Sequence, residues 1–264
     1  METDEKLSDK MKRLEDISNI KLQPKKPVII RLDGRAFSKF TKGLEKPFDE
    51  DISYIFQLTA LELASEIQNA KFIYSQSDEI NILLTDWDKD TTDTWYAYRI
   101  QKLTSISASM TTLLFNKYIE EIIEQYGSTI YPFDKGFDLP EYITERQRKL
   151  IKWEVRKNKA VFDSRVFNLE VEDVVPYFIY RQKDAIRNSL SSLAQKYFSY
   201  KQLVGVKTED KKQMILDKTN IDFDKLSRLQ QVGFAVYKDN NKWIVDTELS
   251  EFMTNRDFIE RWLK

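Results

Sequence analysis

Two hydrophobic periods alternate along this chain, one helical and one extended. Leu7, Met11, Leu14 and Ile17 recur at helical spacing amid charge, which predicts a short amphipathic helix over residues 5–17. Pro24 and Pro27 break it, and Val28-Ile29-Ile30 then reads as a buried strand running into Arg31-Leu32-Asp33-Gly34-Arg35. From Asp49 to about Asn69, Ile52, Ile55, Phe56, Leu63 and Ile67 share one face of a helix with an Asp near its start. Lys71 to Tyr74 is a short strand, Ser75-Gln76-Ser77-Asp78 a polar turn, and Glu79 to Thr85 a second strand, so together they form a hairpin. Thr94 to Gln125 is a long helix with Ile100, Leu103, Met110 and Leu114 in one stripe, and Ala160 to Leu169 is a further strand. Beyond Leu169 the chain is helical to about Phe198, then mixed. Phe234–Tyr237 and Trp243–Val245 form a hairpin around Asp239-Asn240-Asn241.

The order β-α-β-β-α-β is the split unit of ferredoxin-like folds. The fold class expected is α+β: a polymerase-palm-like antiparallel sheet with helices packed on it. Residues 1–169 form the palm with its N-terminal helix, and residues 170–264 a smaller helical and hairpin region packed on it. A right-handed crossover makes the first two strands parallel, so their C-terminal ends share one edge. Asp33 ends the first strand and Asp78 lies in the turn after the second. Topology alone therefore brings these two carboxylates to the same sheet edge.

Composition narrows the chemistry. The 264 residues suit one large domain or two small ones. A chain 41% hydrophobic and 13% aromatic should fold as a globule. The net charge of −1 means that any nucleic-acid contact must come from local basic patches. There is no Cys and no His, which excludes disulfides, thiolate nucleophiles, His general bases and His- or Cys-ligated zinc. Carboxylates, Lys, Arg, Tyr, Ser and Thr are left, and carboxylate oxygens suit magnesium. No apolar run approaches the ~20 residues of a membrane span. The charged N-terminus lacks a signal-peptide pattern, so a cytoplasmic location is the expectation.

A carboxylate pair at a sheet edge can hold two divalent cations, activate a hydroxyl and stabilise a pyrophosphate leaving group. Gly34 lets the backbone approach phosphate, and its carbonyl can add a ligand. On these residues alone, Asp33-Gly34 also reads as an ordinary turn and Asp78-Glu79 as a solvated hairpin tip. Lys46-Pro47, with Arg35, Lys39 and Lys42, can neutralise a triphosphate or simply form a solvated basic loop; Arg99 and Lys102 carry the same ambiguity. Residues 145–159 hold seven Lys/Arg and two acids around Trp153. Arg148, Lys152, Trp153 and Arg156 are therefore candidates for RNA contact, against the alternative of a charged helix facing water. Arg181, Asp184 and Asn188 share a face of the following helix, as a donor cluster or a salt-bridged surface.

Taken together, these segments resemble the tRNA(His) guanylyltransferase superfamily of 3′-to-5′ polymerases, from Lys6 nearly to the C-terminus. The resemblance rests on Arg31-Leu-Asp-Gly-Arg35 with Phe37 and Phe40, Lys46-Pro47-Phe-Asp49, and Tyr74-Ser-Gln-Ser-Asp-Glu79. Phe162-Asp-Ser-Arg165, Tyr180-Arg-Gln-Lys-Asp184, Val245-Asp246 and Asn255-Arg256-Asp257-Phe258 follow in order. It implies that Asp33, the Gly34 carbonyl and Asp78 hold two Mg2+ ions. It implies that Asp33, Gly34, Arg35, Ala36, Phe37 and Ser38, with Ser77, line a pocket for ATP, GTP or another NTP. It also implies that Lys46, Arg99, Lys102, Arg165 and Asn188 contact triphosphate or support catalysis, that Glu79, following the metal-binding Asp78, belongs to the catalytic set, and that the assembly is a homo-tetramer. Eukaryotic members carry His-Ile-Asn-Asn-Leu-Tyr-Asn where this chain reads Ile186-Arg-Asn-Ser-Leu-Ser-Ser192, and many have His at the place of Ser38. The Arg-Asn-Ser-Leu version resembles the guanylyltransferase-like branch, which implies template-directed repair of tRNAs with truncated 5′ ends rather than addition of one G to tRNA(His). Two other classes remain as rivals: a palm-fold nucleotide cyclase, whose Gly-Gly-Asp/Glu signature is absent, and a non-catalytic RNA-binding protein.

Overall fold

Six strands hydrogen-bond into one sheet of order β4-β1-β3-β2-β5-β6, every neighbouring pair antiparallel. The computed structural model describes residues 6–89, 91–127 and 144–264. Along the chain the elements are α1 (Leu7–Asp16), β1 (Val28–Gly34), α2 (Phe37–Phe40), α3 (Glu50–Glu66), β2 (Ala70–Gln76), β3 (Glu79–Leu84), α4 (Ile100–Tyr126), α5 (Glu145–Glu154) and β4 (Phe162–Asn168). Then come α6 (Val171–Tyr197), α7 (Tyr200–Leu203), α8 (Thr208–Thr219), α9 (Arg228–Val232), β5 (Phe234–Asp239), β6 (Lys242–Asp246) and α10 (Asp257–Glu260). The expected βαββαβ core is present as β1-α3-β2-β3-α4-β4, in a mixed α/β molecule. The C-terminal hairpin does not form its own layer: β5 pairs with β2 and lengthens the palm sheet. Among the described residues no helix is long and apolar enough to cross a membrane.

Both faces of the sheet are covered, and period-two alternation decides which residue goes where. Ile30, Leu32, Ile80, Ile82 and Phe162 face one way, against Phe56 and Leu63 of α3, Phe115 and Ile119 of α4, and Trp153 of α5. Ile29, Phe72, Tyr74 and Leu83 face the other way, against Val174, Val175 and Phe178 of α6 and Phe252 and Ile259 near the C-terminus. Strand β3, buried on both faces, therefore reads as a nearly continuous apolar run. The far half of α6 leaves the sheet and packs Leu190, Leu193 and Ala194 on Ile215 and Phe223. α6 thus bridges the palm and the C-terminal helices.

Helix α1 contributes no buried residue, and Leu7, Met11, Leu14 and Ile17 remain exposed. The expected amphipathic helix exists, but its apolar stripe does not enter this subunit's core. The long helix predicted from Thr94 begins at Ile100 instead. Tyr96, Ala97 and Tyr98 before it are left-handed, with φ of 49°, 51° and 54°. Three successive non-glycine residues in that region cannot continue a right-handed helix.

Candidate active site

The site is built at the end of β1 and the turn between β2 and β3. Asp33 stands opposite Glu79 on one side and Asp163 of β4 on the other. Cross-strand partners share a face, so these three carboxylates form one rung on the face that α6 covers. Arg31, Asn81 and Arg165 form the next rung on that face. Asp78 joins from the turn: its carbonyl accepts the Gly34 N–H at 2.9 Å, which ties the two acidic segments backbone to backbone. Ser77, left-handed at φ 52°, donates its hydroxyl to the Asp78 carboxylate at 3.0 Å.

Electrostatics set Asp33 and Asp78 apart from ordinary surface carboxylates. Burial pushes the Asp33 carboxyl above its ordinary value, and Asp163 and Glu79 push it further than Arg31 and Arg165 pull it back. Burial likewise raises Asp78; the Ser77 hydroxyl opposes this, and the Asp33 and Glu79 charges reinforce it. Of the guanidinium groups nearby, Arg181 and Arg31 lie against Glu79 and Arg165 stands 4.0 Å from Asp163. Crowded anions of this kind are what a divalent cation relieves. Among the described residues no three His, Cys, Asp or Glu converge as a complete metal cage. Magnesium does not need one, since it commonly takes one or two carboxylates and completes its shell with water and substrate phosphate. The donor set Asp33, Gly34 carbonyl and Asp78 fits that habit.

Gly34 is held tight. A Cβ there would lie 2.2 Å from the Phe37 ring. Phe37 is buried and stacks on Phe40 at 4.8 Å, with Phe56, Phe115 and Phe162 around it. The aromatic core thereby fixes the loop that carries Arg35, Ala36 and Ser38, all of them exposed beside the carboxylates.

A cleft of about 560 Å3 opens next to the turn. Gln76 and Ser77 line one side, Pro47 and Phe48 another, and Asn188 and Ser192 of α6 a third. Lys46 sits exposed at its rim between lining residues Glu45 and Pro47. Asp49 explains the local sequence: one carboxylate oxygen caps α3 at the Ile52 N–H, and the other accepts the Glu45 N–H at 3.0 Å, closing the loop. Gln230, Gln231 and Ser227 also line the cleft. Nothing in the sequence pattern marks them, because they arrive with α9 from 150 residues beyond Ser77.

Several sequence candidates lie elsewhere. Arg99 and Lys102 stand at the start of α4, where Arg99 bridges to Lys21 and the Ile100 N–H donates to the Ile20 carbonyl. The middle of α4 is the part near the carboxylate edge: Thr112 accepts the Phe162 N–H, and Phe162 pairs with Gly34. At about 1.5 Å per residue, the stretch of helix from Lys102 to Thr112 spans roughly 15 Å. These two cations do not join the acidic pair.

The basic segment 145–159 is corrected more sharply. Trp153 is 1% exposed, and its indole N–H donates to Asp51 at 2.8 Å. It cannot stack on a base. Arg156 is buried too, donating to the carbonyls of Phe40, Lys42 and Lys152, so it clamps the loop after α2. Arg148 and the half-exposed Lys152 keep solvent access. Trp153→Ala is expected to cost about 3–5 kcal/mol in denaturant unfolding, the range for large core aromatics, while leaving RNA affinity unchanged. Lost RNA binding at undiminished stability would restore the stacking role.

A palm-type sheet with an acidic pair at one edge beside a polar cleft defines a nucleotidyltransferase-like architecture. The family model for tRNAHis guanylyltransferase matches residues 8–170, more than half the chain. The chain belongs to that family of nucleotidyltransferases. The uncharacterized protein R259 of Acanthamoeba polyphaga mimivirus is 26% identical over 244 residues, covering 89% of this chain and 77% of that protein. The tRNA(His) guanylyltransferase of Schizosaccharomyces pombe is 30% identical over 122 residues, 46% of this chain and 40% of that enzyme. A bacterial tRNA(His) guanylyltransferase-like protein, solved in complex with ATP, superposes with a TM-score of 0.82 at 36% identity, covering 97% of this chain and 98% of that one. The same kind of protein in complex with GTP gives 0.73 at 34%, covering 97% and 99%.

Proposed function

We propose that this protein adds nucleotides to the 5′ end of tRNA in the 3′-to-5′ direction, directed by the opposite strand, as a 5′-end repair enzyme. The observation that carries the reading is the acidic pair. Asp33 and Asp78 are drawn together by the Gly34–Asp78 backbone bond, beside a cleft of about 560 Å3. The resemblance to proteins solved with ATP and with GTP supports nucleoside triphosphates as the substrates.

In the proposed reaction the 3′-hydroxyl of an incoming NTP attacks an activated 5′ phosphate. A new P–O bond forms, and AMP leaves from an end previously adenylylated by ATP. A 5′-triphosphate end would release pyrophosphate instead. Two Mg2+ ions, held by Asp33, the Gly34 carbonyl and Asp78, would lower the pKa of the attacking hydroxyl and stabilise the leaving group. The residues of this chain do the rest. Lys46 at the cleft rim and Arg35 in the turn after Gly34 would neutralise phosphate charge. Ser77 and Asn188 line the cleft and would contact the nucleotide there. The Phe37 cluster keeps the Gly34 turn from moving. No side-chain general base is needed, consistent with a chain without histidine.

The stretch Ile186–Ser192 favours repair over addition of a single G. A 5′-truncated tRNA other than tRNA(His), incubated with Mg2+ and all four NTPs, is expected to be extended only by the Watson–Crick complement of its 3′ strand. Addition of G whatever the opposing base would assign the protein to dedicated G addition.

A further inference from the structure

Glu79 is the acid nearest the metal pair in sequence, following Asp78 directly, and its position invites a ligand role. The geometry turns it the other way. Both of its oxygens are committed to α6 and the sheet floor. Arg181 donates from Nε to Oε1 and from Nη2 to Oε2, each at 2.7 Å, a two-point clamp with both side chains buried. Asn81 donates to the same Oε1 at 2.8 Å, and its own oxygen accepts the Tyr177 hydroxyl at 2.6 Å. Arg31 approaches Oε2 at 3.5 Å. Arg181 is anchored in turn by Asp184 at 3.4 Å, and Asp184 pairs with Arg187.

We infer that Arg181 is a positioning residue that holds Glu79 away from the metal site proposed at Asp33 and Asp78. This rests on the two-metal reading of the site proposed above. The physical case has three parts. Glu79 shares a rung with Asp33, so a free Glu79 carboxylate would be within reach of a cation bound there. A planar guanidinium matches both carboxylate oxygens at once and fixes the carboxylate's orientation, which a lysine could not do. And α6 brings Asn188 to the cleft about two turns beyond Arg181, so the clamp also fixes the helix that forms the cleft wall.

The test measures Mn2+ affinity in the absence of RNA, together with kcat and KM for extension, on the full chain. In Arg181→Met a released Glu79 is expected to enter the metal site. Mn2+ binding then tightens, while kcat falls about 10- to 100-fold, as for other changes to a ligand's supporting shell, with KM for ATP little altered. The double variant Arg181→Met/Glu79→Gln removes the stray charge, and both Mn2+ affinity and kcat are expected to return most of the way. A structural role alone would leave Mn2+ affinity unmoved and gain nothing from the second substitution, and either result overturns the inference. Should Arg181→Met not fold, Arg181→Lys takes its place: tightened Mn2+ binding that Glu79→Gln reverses supports the inference, and weakened Mn2+ binding in Glu79→Gln alone makes Glu79 a ligand and overturns it. A wild-type protein that neither binds Mn2+ nor extends RNA would refute the underlying two-metal reading, which is a distinct outcome.

Discussion

Asp78→Asn is expected to abolish nucleotide addition while leaving the protein folded and slightly more stable. The contact that locks the turn to β1 runs from the Gly34 N–H to the Asp78 carbonyl, and the substitution does not touch that carbonyl. What it removes is a negative charge that burial and the Asp33 and Glu79 carboxylates already disfavour. The sign follows from linkage. A carboxyl whose folded pKa lies above its ordinary 3.8 binds its proton better when folded, so the ionised form costs stability at neutral pH, and the cost fades as pH falls through the raised value. In metal-free protein the variant should therefore melt at or above the wild-type temperature at pH 7, with the difference vanishing in acid. Its activity loss should exceed the roughly 100-fold that changes outside the ligand set produce. Asp33→Asn should behave alike, since burial, Asp163 and Glu79 raise that carboxyl too. A variant that lost activity only by melting would point to a structural role for the pair.

Gly34→Ala carries the second large effect, for a steric reason. Its Cβ would meet Cδ2 of Phe37 at 2.2 Å, and that ring is packed among Phe40, Phe56, Phe115 and Phe162. Neither group can yield cheaply. The expected cost is about 1–3 kcal/mol, the range for overpacking a dense core, together with displacement of a carbonyl proposed as a metal ligand. A double-mutant cycle isolates the clash. In a Phe37→Ala background the stability cost of Gly34→Ala should shrink to a few tenths of a kcal/mol, the scale expected of sites that no longer interact. An undiminished cost in that background would place the strain elsewhere.

Much of this was legible in the sequence. Periodicity located the four palm strands and the two covering helices, and the crossover rule brought Asp33 and Asp78 to one edge. The rest depended on contacts between residues far apart in sequence. The partner of Trp153 is Asp51, about 100 residues away, and those of Arg156 are carbonyls at 40 and 42. A basic, aromatic segment looks like an RNA contact until those partners are known. Asp163 was visible only as part of a motif, because its place beside Asp33 depends on the β1–β4 register. Glu79 and Arg181 each stood out as charged residues near the site, but only their mutual geometry shows that they satisfy each other. Arg99 and Lys102 were misplaced for a different reason. A helix 27 residues long sets its start about 15 Å from its middle, and a motif alone does not say which part lies at the carboxylate edge.

The most direct test of the account is extension of a labelled 5′-truncated tRNA by the wild-type protein and by Asp78→Ala, with Mg2+ and all four NTPs. The account predicts stepwise growth at the 5′ end in the wild type, dependent on Mg2+ and limited to complementary nucleotides, and none in the variant. Extension that survived Asp78→Ala would contradict it.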